Sequence, residues 1–265
     1  KTITSLLDYL ISFVLGFVQG ITEFLPISSS GHLEIVKKIF NSPGIAKESL
    51  LMTVVLHFAT ALSTVYIFRK DILDIFKGVF STSSNKDRTF SLKIIISMIP
   101  AVVVGIFFEE TIELLFNEKL ILVATMLFLT GFLLFLADKA KESINDVSFL
   151  HSFIIGLSQA IAIIPGISRS GATIATSVIL GIDKSSSAKF SFLMVVPLIF
   201  GKVFKDLLSG ELLLESISFG PLILGFFSAF TTGLFACKWM IRLVKASQLK
   251  YFAFYCFIIA LATIT

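Results

Sequence analysis

Six stretches of this 265-residue chain are long enough and apolar enough to cross a bilayer as α-helices of about 20 residues. Two further segments are apolar, break at a proline followed by serine and glycine, and then turn apolar again. Backbone that leaves the helix at membrane depth is tolerated where protein or a wet cavity covers it. These two segments therefore predict re-entrant helix–loop–helix units. The predicted spans are residues 50–68, 89–108, 119–137, 186–204, 217–237 and 249–264, and the predicted re-entrant segments are residues 5–40 and 150–181.

The two interrupted segments repeat each other, without a gap, at an offset of 140 residues. Leu10 to Leu33 reads LISFVLGFVQGITEFLPISSSGHL, Leu150 to Thr173 reads LHSFIIGLSQAIAIIPGISRSGAT, and ten of the 24 positions are identical. Each half of the chain, residues 1–145 and residues 146–265, is then one re-entrant segment followed by three spans. Because three is odd, the second half must be inverted relative to the first. The sequence predicts an all-α polytopic membrane protein with an inverted-topology repeat.

The charges between the predicted spans orient the chain. Basic residues cluster from Arg69 to Lys93, between the first two spans, which marks that loop as cytoplasmic. The glutamate-rich loop from Glu109 to Glu118 suits the outside, although several lysines also fall on the nominal outer side. On this topology the first re-entrant segment enters from outside, the second enters from inside, and both termini are external. A lipid-binding patch is the alternative interpretation of the Arg69–Lys93 loop.

Composition restricts the class of protein. The chain is 55% hydrophobic and 15% charged, with a mean hydropathy of +0.95, and a soluble core could not bury that much apolar side chain. The net charge of +4 is spread over loops, so we expect no nucleic-acid partner. Cys237 and Cys256 are expected to be small core residues, and no disulfide is predicted. We expect no cleavable signal peptide, because the first apolar segment lacks a basic n-region. A homodimer is possible.

Each repeated segment holds one charged residue in an otherwise uncharged run: Glu23 in the first and Arg169 in the second. A carboxylate and a guanidinium from two related segments predict a single site at a pseudo-two-fold axis. Gln19 lies four residues before Glu23, on the same helix face. A purely structural ion pair is the alternative, but charges inside a membrane are more often functional.

Both turns offer hydroxyl and backbone N–H groups to an anion. The first turn runs from Pro26 to His32 and the second from Pro165 to Thr173. Serine is short, glycine admits unusual backbone angles, and a helix that begins there points its positive end at the ligand. Arg169 adds a fork suited to phosphate. Close helix packing is the alternative interpretation of these small residues.

A carboxylate beside a phosphate site is not needed for binding alone, because like charges repel. Glu23 would act as a base, orient His32, or bind a divalent cation that bridges to the phosphate. The pattern therefore favours phosphoryl chemistry over passive anion binding. We expect His57 and His151 to be packing residues.

The motifs QGITEFLPISSSGH and PGISRSGAT resemble the two signatures of the undecaprenyl-pyrophosphate phosphatase family of the bacitracin-resistance type. The first signature begins with Glu or Gln, and this chain has Gln19 there. The resemblance covers the whole chain in length and span pattern. It implies a multi-pass enzyme of the bacterial plasma membrane that hydrolyses the C55 polyprenyl pyrophosphate lipid to its monophosphate and recycles the lipid carrier of cell-wall synthesis. It also implies a site open to the outer face and a requirement for Mg²⁺ or Ca²⁺.

The resemblance assigns roles to individual residues. Glu23, Ser29, His32 and Arg169 would be catalytic, and Glu23 would also bind the metal ion. Ser29 is the preferred nucleophile, with Arg169 stabilising charge on the phosphorus oxygens; attack by His32 or by metal-bound water is the alternative. A set of polar and glycine residues in the two motifs would bind the pyrophosphate: Gln19, Ser28, Ser30, Gly31, Ser168, Ser170, Gly171 and Thr173.

Two other functions compete with this interpretation. The type-2 phosphatidic-acid phosphatases also carry SGH and SRS sequences, but they place a histidine six residues after the arginine. Position 175 of this chain is alanine, and no histidine follows Arg169, so that alternative fails. A transporter or flippase of an anionic or lipid-phosphate substrate would share the inverted repeat and the broken helices, and it remains the alternative function.

Overall fold

The computed structural model describes residues 6–40, 50–80, 86–115, 120–141, 143–209, 219–246 and 248–264. Within these residues the chain forms twelve helices and no strand, apart from one isolated bridge between Asn145 and Ile182. The predicted all-α class is therefore confirmed. The helices are α1 (Leu6–Thr22), α2 (Ser29–Phe40), α3 (Leu50–Ile67), α4 (Arg69–Phe80), α5 (Lys86–Phe107), α6 (Glu109–Leu115), α7 (Leu120–Asp138), α8 (Phe149–Ile161), α9 (Arg169–Ile179), α10 (Lys184–Ser209), α11 (Phe219–Lys245) and α12 (Leu249–Ile264).

Among the described residues, the helices α5, α7 and α11 are each long and apolar enough to cross a membrane, and α3 with α4 passes the same test as a bent pair. Large side chains such as Phe107, Ile121 and Phe235 lie exposed on these helices, as a lipid-facing surface requires. The chain is therefore a multi-pass membrane protein. The six-span arrangement and the division at residue 145 stay predictions. Residues 5, 119 and 217–218, which open predicted segments, lie outside the described residues.

Helix α4 occupies part of the predicted cytoplasmic loop. Its axis turns by 87° from that of α3. Leu73 and Phe76 are exposed on it, whereas Gly78 packs against Asp87 at the start of α5. The Ser91 hydroxyl of α5 donates a hydrogen bond to the Ile75 carbonyl oxygen over 2.8 Å. The basic residues that begin at Arg69 thus lie on two packed helices rather than on a loop.

Both repeated segments form a helix, a short turn and a second helix. In the first, α1 ends at Thr22 and α2 begins at Ser29; in the second, α8 ends at Ile161 and α9 begins at Arg169. Pro26 and Pro165 lie in the turns. Because proline lacks an N–H group and its ring clashes with the preceding helical turn, each helix ends before it. The turns place the first residues of α2 and α9 beside the end of α1.

The first helix of each repeated segment packs against a helix of the other half. Helix α1 lies so close to α11 that a methyl group added at Gly16 would collide with the Gly225 carbonyl oxygen. Helix α8 approaches α5 in the same way, with Gly156 against the Ser97 backbone. Small residues permit such close approach in lipid, where dispersion contacts replace the hydrophobic effect as the driving force.

A large cluster of buried apolar side chains joins the first turn to the second half of the chain. Phe24, next to Glu23 in sequence, is fully buried and meets the Phe192 ring of α10 edge to face, with centroids 5.7 Å apart. An edge-to-face aromatic pair of this kind contributes about 0.5–1.5 kcal/mol beyond area burial. Phe24 therefore anchors the turn that carries the Glu23 carboxylate.

Candidate active site

The Glu23 carboxylate lies where α1, α2 and α9 meet. The Gln19 amide nitrogen donates to Glu23 Oε2 over 3.0 Å, and the Ser29 hydroxyl donates to the same oxygen over 2.7 Å. Arg169 Nη2 forms an ion pair with Glu23 Oε1. The structure thus brings together a carboxylate and a guanidinium that are 146 positions apart in the sequence.

This ion pair is largely shielded from solvent. The Glu23 side chain is 8% exposed and the Arg169 side chain 16%. Buried charges are stable only when they are paired and hydrogen-bonded, and Glu23 meets that condition through three side chains.

Two buried polar atoms beside the ion pair lack a hydrogen-bond partner in the described part of the chain. Arg169 Nη1 and Gln19 Oε1 are both buried and have no hydrogen-bond partner among the described residues. Buried polar groups of this kind are rare in folded proteins. One is a donor that suits a phosphate oxygen, and the other is an acceptor that suits a cation or a hydroxyl group.

Ser28 and Ser168 begin α2 and α9 with the same hydrogen bonds. The Ser28 hydroxyl accepts from the Gly31 N–H over 3.2 Å, and the Ser168 hydroxyl accepts from the Gly171 N–H over 3.0 Å. Such N-caps satisfy a backbone donor of the first helical turn. The residue that follows each cap contacts Glu23, so the positive ends of both helices lie at one point, where they attract anions.

The two turns contain left-handed backbone. Ser28 has a φ of 69°, which is uncommon for a residue other than glycine, and Gly166 has a φ of 95°. A side chain at Gly166 would also collide with the backbone of Val123 in α7. This backbone conformation raises the free energy of the folded state by about 1–3 kcal/mol at Ser28. The next residue, Ser29, is the serine that is hydrogen-bonded to Glu23.

The other predicted phosphate ligands already contact protein groups. Ser30 Oγ lies 3.3 Å from the Ser28 hydroxyl. The Ser170 hydroxyl donates to the Leu25 carbonyl oxygen over 3.2 Å, and Thr173 Oγ lies 2.6 Å from Ser191 Oγ in α10. These hydroxyls hold the first turn, α9 and α10 together, and their contact with a pyrophosphate stays a prediction.

His32 contacts a residue that sequence reasoning did not identify. Its Nδ1 lies 2.8 Å from the Ser28 carbonyl oxygen, and its Nε2 lies 2.9 Å from the Tyr255 hydroxyl of α12. Tyr255 stands in an apolar run 223 positions away, and nothing in the sequence distinguishes it from the aromatic residues around it. His57 lies on α3, where its Nδ1 is 2.9 Å from the Thr53 carbonyl oxygen.

The arrangement can support a nucleophilic reaction on an anion. A serine hydroxyl hydrogen-bonded to a carboxylate at 2.7 Å is within the range of a nucleophile and its base. A guanidinium and two helix N-termini lie beside it and can bind and stabilise negative charge. The catalytic and binding roles of these residues stay predictions, because geometry alone does not test them.

Comparison with known proteins identifies relatives over almost the whole chain. A family model described as Bacitracin resistance protein BacA matches residues 12–262. An undecaprenyl-diphosphatase of Christiangramia forsetii is 59% identical over 258 residues, which cover 97% of this chain and 98% of the relative. An undecaprenyl-diphosphatase of Bacteroides fragilis is 44% identical over 262 residues, covering 97% of this chain and 98% of that protein. One of Methanococcus vannielii is 40% identical over 258 residues, with 96% and 98% covered.

Proposed function

The chain belongs to the bacitracin resistance protein BacA family, and from this premise we propose that it hydrolyses undecaprenyl pyrophosphate to undecaprenyl phosphate and inorganic phosphate. This reaction recycles the lipid carrier of cell-wall synthesis and confers resistance to bacitracin. The observation that carries the proposal is the hydrogen bond from Ser29 to Glu23 beside Arg169. This arrangement brings together a proposed nucleophile, its base and an anion-binding group at two helix N-termini.

In the proposed reaction Glu23 accepts the proton of the Ser29 hydroxyl as the serine oxygen attacks the terminal phosphorus. The bond from that phosphorus to the bridging oxygen breaks, and undecaprenyl phosphate leaves. Water then attacks the phosphoserine, Glu23 returns its proton to the leaving Ser29 oxygen, and both protons of the water leave on the inorganic phosphate. Arg169 stabilises the negative charge on the phosphorus oxygens in both steps.

The substrate binds, in this proposal, against the two turns. Arg169 Nη1 donates to a phosphate oxygen, because it is buried and has no partner among the described residues. The N-termini of α2 and α9 add backbone N–H groups and the positive ends of their dipoles. The serine hydroxyls and Thr173 stabilise the turns in the free protein, and those that contact phosphate must exchange their protein partners for it.

A divalent cation, Mg²⁺ or Ca²⁺, fits the oxygen donors of this site. Gln19 Oε1 is buried without a partner among the described residues, and it belongs to the side chain that is hydrogen-bonded to Glu23. The described residues contain no cluster of three or more His, Cys, Asp or Glu side chains. Magnesium sites commonly combine one or two carboxylates with substrate phosphates, so Glu23 and Gln19 would hold the ion together with the pyrophosphate. When bound, it would neutralise phosphate charge.

The two halves form, in this proposal, an inverted-topology repeat in the bacterial plasma membrane, with the site open to the outer face. Support comes from reciprocal packing: α1 of the first half lies on α11 of the second, and α8 of the second lies on α5 of the first. Such an exchange of equivalent helices is what a pseudo-two-fold axis produces. The substrate lipid and the bilayer are the proposed partners, and the possible homodimer stays a prediction.

Phosphate release by purified protein in detergent separates hydrolysis from transport, because a micelle has no two sides. We expect wild-type protein to release phosphate from undecaprenyl pyrophosphate and the Arg169→Ala variant to release none above background. Equal turnover by the variant would contradict the proposal for this site. Absence of release by folded wild-type protein under all metal conditions would favour the transporter or flippase.

A further inference from the structure

Tyr255 contacts His32 through both its hydroxyl group and its ring. The Tyr255 oxygen lies 2.9 Å from His32 Nε2. The two rings are nearly parallel, at 11°, and their centroids are 5.6 Å apart. His32 Nδ1 lies 2.8 Å from the Ser28 carbonyl oxygen. Because a carbonyl oxygen only accepts, Nδ1 carries the hydrogen, and the neutral ring then accepts at Nε2 from the Tyr255 hydroxyl.

His32 is hydrogen-bonded to Ser28, the residue of the first turn that has the strained backbone. The Ser28 carbonyl oxygen accepts from His32 Nδ1 and also from the His32 backbone N–H, over 3.1 Å. Ser28 is the residue with a φ of 69°, and Ser29 follows it. A fixed His32 ring therefore holds the carbonyl group of Ser28, and through it the direction in which Ser29 points.

Helix α12 reaches this turn with two consecutive residues. Next to Tyr255, the buried Cys256 thiol donates to the Pro26 carbonyl oxygen over 3.7 Å. On its other side α12 packs on α7, where Gly131 faces the Phe257 ring. The position of Tyr255 is thus set by α12, which contacts the first turn through Cys256 and packs against α7.

We propose that Tyr255 is a positioning residue for phosphate release: its hydroxyl fixes the orientation of the His32 ring through Nε2, and His32 in turn holds Ser28 so that Ser29 faces Glu23. This inference rests on the proposed function for its kinetic consequence, but the tautomer of His32 is independent of activity. Tyr255 does not contact Ser29 or Glu23 by any hydrogen bond among the described residues, so its influence passes through His32.

The kinetic test uses Tyr255→Phe, which keeps the stacked ring and removes only the hydroxyl group. Loss of one hydrogen bond predicts a fall of about five- to tenfold in kcat with KM unchanged. In a His32→Ala background the same substitution should have no further effect, since a residue that acts only through His32 is fully coupled to it. Tyr251→Phe is the matched control, because Tyr251 is exposed one turn earlier on α12 and should keep the wild-type kcat.

The spectroscopic test reads the tautomer directly. The chain has three histidines, so ¹⁵N-histidine spectra of the protein in detergent can be assigned with single His→Gln variants. We expect His32 in the Nδ1–H form in wild-type protein, and in Tyr255→Phe the same tautomer with a shifted Nε2 resonance, because the unprotonated nitrogen loses its hydrogen bond. An Nε2–H form in the wild type would overturn the inference even if the protein released no phosphate.

The kinetic measurements also test the inference about Tyr255. A wild-type kcat for Tyr255→Phe, or an equal fall in the presence and absence of His32, would overturn the inference. Because Arg169→Ala tests the proposed function separately, a phosphatase that needs Arg169 but not the Tyr255 hydroxyl would leave that function standing.

Discussion

Glu23→Gln should lower both the stability of the protein and its phosphate release, because Glu23 is the ion-pair partner of Arg169 and the proposed base. The substitution keeps the shape of the side chain and leaves Arg169, which is 16% exposed, without its carboxylate. Removing one partner of a buried pair costs about 3–5 kcal/mol, and the residual exposure of Arg169 favours the lower end, about 3 kcal/mol. The lost base should lower phosphate release by about 10²- to 10⁴-fold.

The double variant Glu23→Gln/Arg169→Met separates stability from activity. Replacement of both charges by uncharged groups of similar volume is often neutral for stability, because neither side chain is left as an isolated buried charge. We therefore expect the double variant to recover to within about 1 kcal/mol of wild-type stability, while phosphate release stays at background.

Thermal unfolding in detergent and phosphate release, measured on the same samples, test this expectation. The Lys189–Asp71 ion pair between α10 and α4 supplies the control, since its side chains are 46% and 33% exposed. Lys189→Gln should change stability by at most about 1 kcal/mol and leave activity intact. A double variant that regains activity along with stability would refute the reasoning and make the Glu23–Arg169 pair purely structural.

Three further predictions follow from the site and the helix contacts. Ser29→Ala should lower phosphate release by about 10²-fold or more, whereas Ser158→Ala, which removes a hydroxyl that donates to the Ile155 carbonyl oxygen of its own helix, should stay within about threefold of wild type; near-normal rates for Ser29→Ala would eliminate it as the nucleophile. Gly16→Ala should destabilise the protein by about 1–3 kcal/mol because its methyl group collides with α11, whereas Gly105→Ala, which meets nothing within 4 Å, should be neutral or stabilising in the same unfolding assay. Chelation of divalent cations should abolish phosphate release and added Mg²⁺ or Ca²⁺ should restore it; full activity in excess chelator would contradict the proposed metal ion.

Apolar stretches indicate helices, because such a stretch has few other structures in a membrane. Helix α7 covers Leu120–Asp138 and α12 covers Leu249–Ile264, close to the apolar stretches 119–137 and 249–264, whereas α11 continues to Lys245, eight residues past the stretch that ends at 237. Helix α4 was missed since its sequence is rich in charge and its apolar residues recur on a helical period rather than in a run. A search for apolar runs does not find such a helix.

The meeting of Glu23 and Arg169 could be anticipated because the repeat supplies a long-range relation that single residues do not. No comparable relation points to Tyr255, whose contact with His32 depends on how α12 packs. The N-cap role of Ser28 also escaped prediction, because the sequence indicates a serine-rich turn but not which hydroxyl the helix uses for its own N–H group.

The two turns share the residues that cap their helices, and they differ at residues that would be catalytic. The residues that cap the helices are identical between copies: Ser28 corresponds to Ser168, and Gly31 to Gly171. Of the residues that contact the Glu23 carboxylate, Gln19 is repeated as Gln159, whereas Ser29 of one copy corresponds to Arg169 of the other.

This asymmetry matters for an anionic substrate. Position 163, which corresponds to Glu23, is isoleucine, so the second copy adds no carboxylate of its own at that place. A second glutamate there would compete with phosphate for the guanidinium and would repel the pyrophosphate. With one carboxylate, Arg169 is neutralised through Nη2 and keeps Nη1 without a partner among the described residues. In the proposed phosphatase site the two copies thus differ at Ser29 and Arg169, which touch Glu23, while the N-cap hydrogen bonds of both turns are the same.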